Sequence, residues 1–277
     1  MPMDTLISAL PSIRTGTGAD MVSALDRGLQ VLACFRDGQR SLGSTELARL
    51  TGIPRPTVTR LAATLAQHGW LRQDPETERF TLGASALVLA RAFLSGYDAR
   101  ASARDPMQVL ADSTGGSVYL AVRDGMEMVL IEACRPRSRM FAARLGVGSR
   151  VPLANSALGR AYLGALGPTS RAPLIESLRL MRGSEWPALE GALVQSLEDW
   201  ACTGVCLSLG QFHSEINSAA IALRGPDGEL LVLNCGGSAH AFDEARLRQQ
   251  ITPALQQLAR TLAIATGGQA MIPGDTE

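Results

Sequence analysis

The stretch STELARLTGIPRPTVTRLAATLAQHGWLRQDPETER, residues 44–79, decides the fold of the N-terminal part of this chain. Ser44 has the hydroxyl expected of a helix N-cap, Glu46 puts a negative charge in the first turn, and Leu47 with Leu50 supplies an apolar stripe. Gly52 stands where a helix ends at least cost in left-handed backbone. After Ile53-Pro54, Pro56 suits the start of a second helix, and a step of about 100° per residue puts Val58, Leu61, Ala62 and Leu65 on one face. Arg60 then lies at the centre of the opposite face, flanked by Thr57 and Thr59. Two short helices around a tight turn also occur as plain packing. The next segment shifts the balance: WLRQDPETERFTLG, residues 70–83, alternates around a Pro-containing turn, with Arg72 and Arg79 near the two ends of a short ribbon. Helix, turn, helix and ribbon in that order predict a winged helix-turn-helix, with the ribbon arginines placed to touch backbone phosphates. Upstream, SALDRGLQVLACF adds Leu25, Leu29, Leu32 and Phe35 at helical spacing to close a small core.

Residues 22–83 resemble the N-terminal domain of IclR-family transcriptional regulators. The phrases that carry the likeness are ALDRGLQVL, then STELARLTGIPRPTVTRLAATLAQHGWL, then FTLG closing the wing. It continues beyond them: VPLANSALGRAYL, residues 151–163, is similar to the family segment that opens the effector-domain helix, and INSAAIALRGPDGELLVLN resembles its late hairpin. The likeness runs from about Val22 to Thr266 and departs at Pro56, where the family often has a small polar residue, and at Asn217, where a cysteine is common. It implies double-stranded operator DNA as a partner, a C-terminal GAF-like domain sensing a small organic acid, aromatic acids included, and homodimers that can pair again into tetramers. The candidate DNA contacts are Ser44, Arg55, Pro56, Thr57, Thr59, Arg60, Arg72 and Arg79.

Composition fits a soluble, cytoplasmic protein of two domains. With 277 residues and 46% hydrophobic content the chain can bury two modest cores. No apolar run approaches the roughly 18 residues of a membrane span, and the N-terminus lacks a basic region followed by a long apolar one. The cysteines, Cys34, Cys134, Cys202, Cys206 and Cys235, are odd in number and irregularly spaced, which suggests reduced thiols. Net charge is zero, with eight Arg against six acidic residues in 21–82, a bias of the right sign for DNA but small. Every basic residue is Arg, so Schiff-base and P-loop lysine chemistry are excluded.

The expected organisation is a tail over 1–20, the winged domain over 21–83, a linker helix over 84–103 with Leu87, Ala90, Arg91 and Leu94 on one side, an effector domain over 104–266 and a tail over 267–277. The linker helix, by resemblance, helps two chains pair. In the effector domain the signals alternate: a helix ending at Gly115-Gly116, a hairpin turning at Asp124-Gly125, strands near 140–144 and 151–153, helices near 156–166, 171–181 and 187–203, strands near 217–223 and 229–234, and a last helix over 243–265. Antiparallel strands interrupted by helices make this an α+β domain.

No nucleophile elbow, zincin helix, Walker loop or Rossmann fingerprint occurs, and His68, His213 and His240 lack partners at ligand spacing, so no enzyme, cofactor or metal is expected. Cys202 and Cys206 fall at a helix end and a strand start, which argues against a metal pair. Asn155, Ser156 and Ala157 stand at a helix start, where free N–H groups and the dipole attract an anion. Gly146 allows close backbone approach, Leu145 and Phe141 are candidates for an apolar wall, and Asn217 and Asn234 put amides into core strands. Such amides either bond to neighbouring turns or line a cavity; family resemblance favours the cavity. An enzyme carrying a DNA-binding domain and a ligand-independent architectural protein are the competing classes.

Overall fold

The computed structural model describes residues 22–36, 41–137 and 145–275, and the chain divides into two units at Gly96/Tyr97. The first unit contains α1 (Ser23–Ala33), α2 (Ser44–Thr51), α3 (Arg55–Gln67), the ribbon β1 (Leu71–Gln73) and β2 (Phe80–Leu82), and α4 (Ser85–Ser95). Its core is Val31, Cys34, Leu42, Leu47, Ile53, Val58, Ala62, Leu71 and Phe80, with Leu32, Phe35, Leu61 and Leu65 packed against it. The stripe expected on α1 is therefore only half right. Leu32 and Phe35 reach the core, but Val31 and Cys34 are the fully buried positions, while Leu25 and Leu29 face solvent at 63% and 56% exposure. Gly28 in the same turns is buried, as is Val31, so both leucines lie on the side of the helix turned away from those residues.

Gly52 caps α2 with φ +70°, as its position in the sequence requires. Ser44, however, is the first helical residue, and the N-cap is Gly43. The cause is the backbone bridge Leu42↔Phe80, which ends the extended segment at Leu42 and starts the helix one residue early. At the far end, Gly83 N–H donates to the Trp70 carbonyl, and a Cβ on Gly83 would stand 2.0 Å from the Gly69 oxygen. Only glycine lets the wing return this close to the end of α3.

The single linker helix expected over 84–103 is two helices, α4 and α5 (Asp98–Thr114), divided at Gly96-Tyr97. The second unit continues with β3 (Ser117–Asp124), β4 (Glu127–Cys134), β5 (Arg150–Pro152), α6 (Ala157–Ala165), α7 (Pro168–Arg182), α8 (Trp186–Thr203), β6 (Val205–His213), β7 (Ile216–Arg224), β8 (Leu230–Ser238), α9 (Thr252–Thr266) and β9 (Gln269–Ala270). Asp124 pairs with Glu127, so the β3–β4 turn consists of Gly125 and Met126, one residue later than expected, with Gly125 at φ +62°. The strand expected near 140–144 lies outside the described residues. The last helix is interrupted: after the Asp243 cap, residues Leu247–Ile251 form a π turn before α9 begins.

The strands form one antiparallel sheet in the order β5-β4-β3-β8-β7-β6, with β9 added to β7. Each face is covered by helices. Cys134 and Cys235 point to α5, where the Cys134 thiol meets the Arg104 carbonyl and the Cys235 thiol meets Thr114. Cys206, one residue out of phase across the ladder, points to α8 and donates to the Ser196 carbonyl. Away from the register shifts at Leu120/Ala121 and between Leu209 and His213, alternation along each strand then assigns the sheet side chains to the α5/α9 face or to the α6/α8 face.

Candidate nucleic-acid interface and ligand-binding face

On α3, Val58 and Ala62 are buried while Arg55, Pro56, Thr59 and Arg60 are exposed and Thr57 is half-buried. Arg55 is the first helical residue and Pro56 the second, after the Pro54 cap. The Thr59 hydroxyl donates to the Arg55 carbonyl at 3.0 Å, which leaves its oxygen lone pairs and methyl to face outward. Among the described residues, Arg55, Arg60 and Arg72 form no ion pair, so their guanidinium groups remain available to an anionic partner. Arg79 differs. It donates to the Ser41 hydroxyl and carbonyl, both at 2.9 Å, and pairs with the Glu46 carboxylate at 2.7 Å.

The wing turn is closed by Asp74, whose carboxylate accepts from the Glu76 and Thr77 N–H groups at 2.9 and 3.2 Å. Those two bonds hold its pKa below the usual carboxylate range. Arg72 and Thr81 are cross-strand partners on the ribbon.

In the second unit, Ser156 is the N-cap of α6: its hydroxyl accepts from the Gly159 N–H at 3.0 Å and donates to the Pro152 carbonyl at 2.6 Å. Asn155 donates to the Gln211 carbonyl at 3.3 Å, yet its side-chain oxygen is buried without a partner. Ala157 is buried behind it. Leu145 is buried and its carbonyl accepts from Arg135 at 2.7 Å, while the Gly146 N–H donates to the Ser149 hydroxyl at 2.9 Å. Phe141 lies outside the described residues.

The two asparagines expected to share a cavity lie on opposite faces of the sheet. Asn234 is in register with Ala220 and Tyr119, and through Ala220 with Cys206, on the α6/α8 face. Asn217 is in register with Gly237 on the α5/α9 face, where its amide donates to the Phe242 carbonyl at 2.9 Å. One pocket cannot take both side chains. Asn234 donates to the Ala219 carbonyl at 3.1 Å. Its face also carries Ser117, Ser208 and Tyr119, all buried, and the Tyr119 hydroxyl lies beside Ser117 and the Arg135 guanidinium without reaching ordinary hydrogen-bond geometry to either.

Sequence reasoning missed Tyr119 and Arg160. Arg160 is 1% exposed and donates to the Ala154 carbonyl at 3.1 Å, the Ser196 hydroxyl at 3.2 Å and the Leu207 carbonyl at 3.4 Å, with one guanidinium nitrogen unpartnered. Burial lowers its pKa, and the neighbouring Cys206 thiol is driven far up by the same cause. The available signal was position: in ALGRAYL, Arg160 falls on the same helix face as Ala157, Ala161 and Gly164. A separate apolar groove of about 540 Å³ at the other end of α6, lined by Leu166, Pro168, Leu197 and Trp200, contains none of the expected ligand residues. Among the described residues no group of three or more His, Cys, Asp or Glu side chains is placed to hold a metal, and no helix is long and apolar enough to cross a membrane.

A winged helix-turn-helix with unpaired arginines, followed by an antiparallel sheet between helix layers, defines a DNA-binding regulator with an α+β C-terminal domain. Residues 24–75 match the IclR helix-turn-helix domain and residues 91–264 match the bacterial transcriptional regulator IclR C-terminal domain. The chain belongs to the IclR family of transcriptional regulators. It is similar to the HTH-type transcriptional regulator TsaQ1/TsaQ2 of Comamonas testosteroni, at 29% identity over 89% of each chain. It is also similar to XynR of Escherichia coli (strain K12), at 25% identity over 87% of this chain and 98% of that one. An IclR-family regulator structure from Brucella abortus superposes with a TM-score of 0.75 at 36% identity, over 89% of this chain and 93% of that one. These relatives are regulators, and this chain is a regulator of transcription rather than an enzyme.

Proposed function

We infer that the second unit binds a small organic acid on the α6/α8 face of its sheet and that occupancy sets the affinity of the winged unit for an operator. The observation that carries this is two buried polar atoms left without a partner at the start of α6 and one turn on, the Asn155 side-chain oxygen and one Arg160 nitrogen, with the buried Tyr119 hydroxyl on the same face of the sheet, beside Ser117 and Arg135. Unpaired buried polar groups cost free energy, and a ligand with complementary groups recovers it. Asn155, Ser156 and Ala157 at the helix start, with Leu145, Gly146 and Asn234, would meet a carboxylate and the groups attached to it. A protein of the same fold from Microbacterium hydrocarbonoxydans has been solved with 4-hydroxybenzoate, which supports an aromatic acid as one class to test.

On the DNA side, Arg60 at the centre of the exposed face reads a base edge, Thr57 and Thr59 make smaller contacts, and Arg55, Arg72 and the α2 start at Ser44 meet phosphates. Two copies place two such helices in major grooves about one turn or a multiple apart, and the acid favours one arrangement over the other. The test uses a labelled duplex selected by this protein from a random library. Its anisotropy titration is repeated with a panel of aromatic and aliphatic carboxylic acids, alongside thermal melting of the free protein. At least one acid is expected to raise the melting temperature and change duplex affinity. A panel in which no acid moves either quantity removes the organic-acid reading and leaves DNA binding standing.

A further inference from the structure

Arg79 sits beside β2, where a wing arginine is expected to reach a phosphate, but its partly exposed guanidinium is tied to groups of its own domain. One nitrogen donates to the Ser41 hydroxyl and another to the Ser41 carbonyl, each at 2.9 Å, and the second also pairs with Glu46 at 2.7 Å. The same Glu46 oxygen accepts the Gly43 N–H at 2.8 Å, the N-cap bond of α2. That bond first, and Arg79 after it, holds the Glu46 carboxyl below the usual carboxylate range. Beside this network the backbones of Leu42 and Phe80 exchange two hydrogen bonds of 2.9 Å. Wing strand, the 41–43 segment and the start of α2 are thus fastened at one point by a planar donor fork that a lysine does not have. Two of the three guanidinium nitrogens of Arg79 are already engaged, and a phosphate meeting the third would stand close to the Glu46 carboxylate, which repels it.

We propose that Arg79 is a positioning residue: with Glu46 it locks the wing to helix α2, and the wing's phosphate contact falls to Arg72. This rests on the DNA-binding role of the winged unit and is independent of any ligand. A strut and a phosphate contact respond differently to charge and to salt. Removing one phosphate contact shrinks the salt dependence of binding by about one unit of log–log slope, whereas a misplaced wing weakens binding without that signature.

The experiment measures binding of the full chain to the library-selected duplex across a salt series for Arg72→Gln, Arg79→Gln, Arg79→Lys and Glu46→Gln, with thermal melting confirming that each variant is folded. Arg72→Gln is expected to reduce the slope by about one. Arg79→Gln and Arg79→Lys are both expected to bind several-fold more weakly at every salt concentration with the wild-type slope, because the lysine restores charge but not the fork. Glu46→Gln is expected to weaken binding too, although it removes a negative charge from a DNA-binding surface. Should Arg79→Lys retain wild-type affinity, or Glu46→Gln bind more tightly, Arg79 is a DNA contact and the strut is wrong. If a Glu46 variant fails to fold, the Arg79→Lys slope and affinity decide alone.

Discussion

Arg160 is a cation held by two carbonyls and a hydroxyl, with no acid beside it. Removing it leaves the Ala154 and Leu207 carbonyls facing an apolar gap between α6, α8 and β6. Arg160→Met should therefore lower unfolding free energy by about 1–3 kcal/mol in a urea titration, the cost of stranding a buried acceptor; unchanged stability would mean that water or relaxation satisfies both. Arg60→Ala is expected to weaken binding to the selected duplex by about 1–3 kcal/mol, as removal of a base contact does. Equal affinity at matched salt would take Arg60 out of the contact set. The asparagines separate by face. Asn234→Leu should reduce the response to a binding acid by at least ~1 kcal/mol, whereas Asn217→Leu strands the Phe242 carbonyl and should cost stability of similar size while the response persists. The placement of Arg60 was legible because helical spacing alone fixes it. Which way Asn217 and Asn234 point depends on ladder register, set by strands far apart in sequence, and no local pattern encodes that.

Elements were read correctly where their ends are chemical and wrongly where their ends are made by a distant contact. Gly52, Gly115 and Gly204 each close a helix in left-handed backbone, and each is visible in the sequence as a glycine after a periodic run. Gly43 as the cap of α2 was not visible, because the bridge to Phe80 that ends the preceding segment joins residues 38 apart. The break at Gly96-Tyr97 was read through because helical residues continue on both sides. The cap of α2 has a pH consequence. Glu46 titrates below its ordinary value in the folded chain, so its contribution is present above that value, near pH 4.5, and is lost as pH falls through the depressed pKa. The acid limb of a melting-temperature profile should therefore be shallower in Glu46→Gln than in the wild type. A second element depends on close approach: Gly83→Ala would drive a Cβ into the Gly69 carbonyl, and the forced shift is expected to destabilise the winged unit by roughly 1–3 kcal/mol, read by thermal or urea unfolding. A Gly83→Ala protein of wild-type stability would show that the wing can back away from α3 at little cost.

At the scale of the whole molecule, the winged unit carries more apolar surface than its own core uses. Val22, Leu25 and Leu29 on and beside α1 are 68%, 63% and 56% exposed, and Leu87, Val88 and Leu89 on α4 are 72%, 67% and 57% exposed. No residue of α4 is buried. A helix apolar on several sides with no buried residue has little to hold it in isolation, since burial of an amphipathic face supplies most helical stability in proteins. Large exposed apolar side chains in such number fit an interaction surface, and the proposed operator reading by two recognition helices would need a second copy of the chain. The full chain should then scatter light as a species of at least twice 29.3 kDa at micromolar concentration. Leu87→Arg combined with Leu89→Arg should shift that mass toward one chain and weaken duplex binding, because a lone winged unit loses the second half-site. The substituted positions are exposed, so the monomer should keep its helical circular dichroism and its thermal transition in the second unit. A wild-type chain that remains a monomer while binding its selected duplex tightly would leave α1 and α4 without the partner assigned to them.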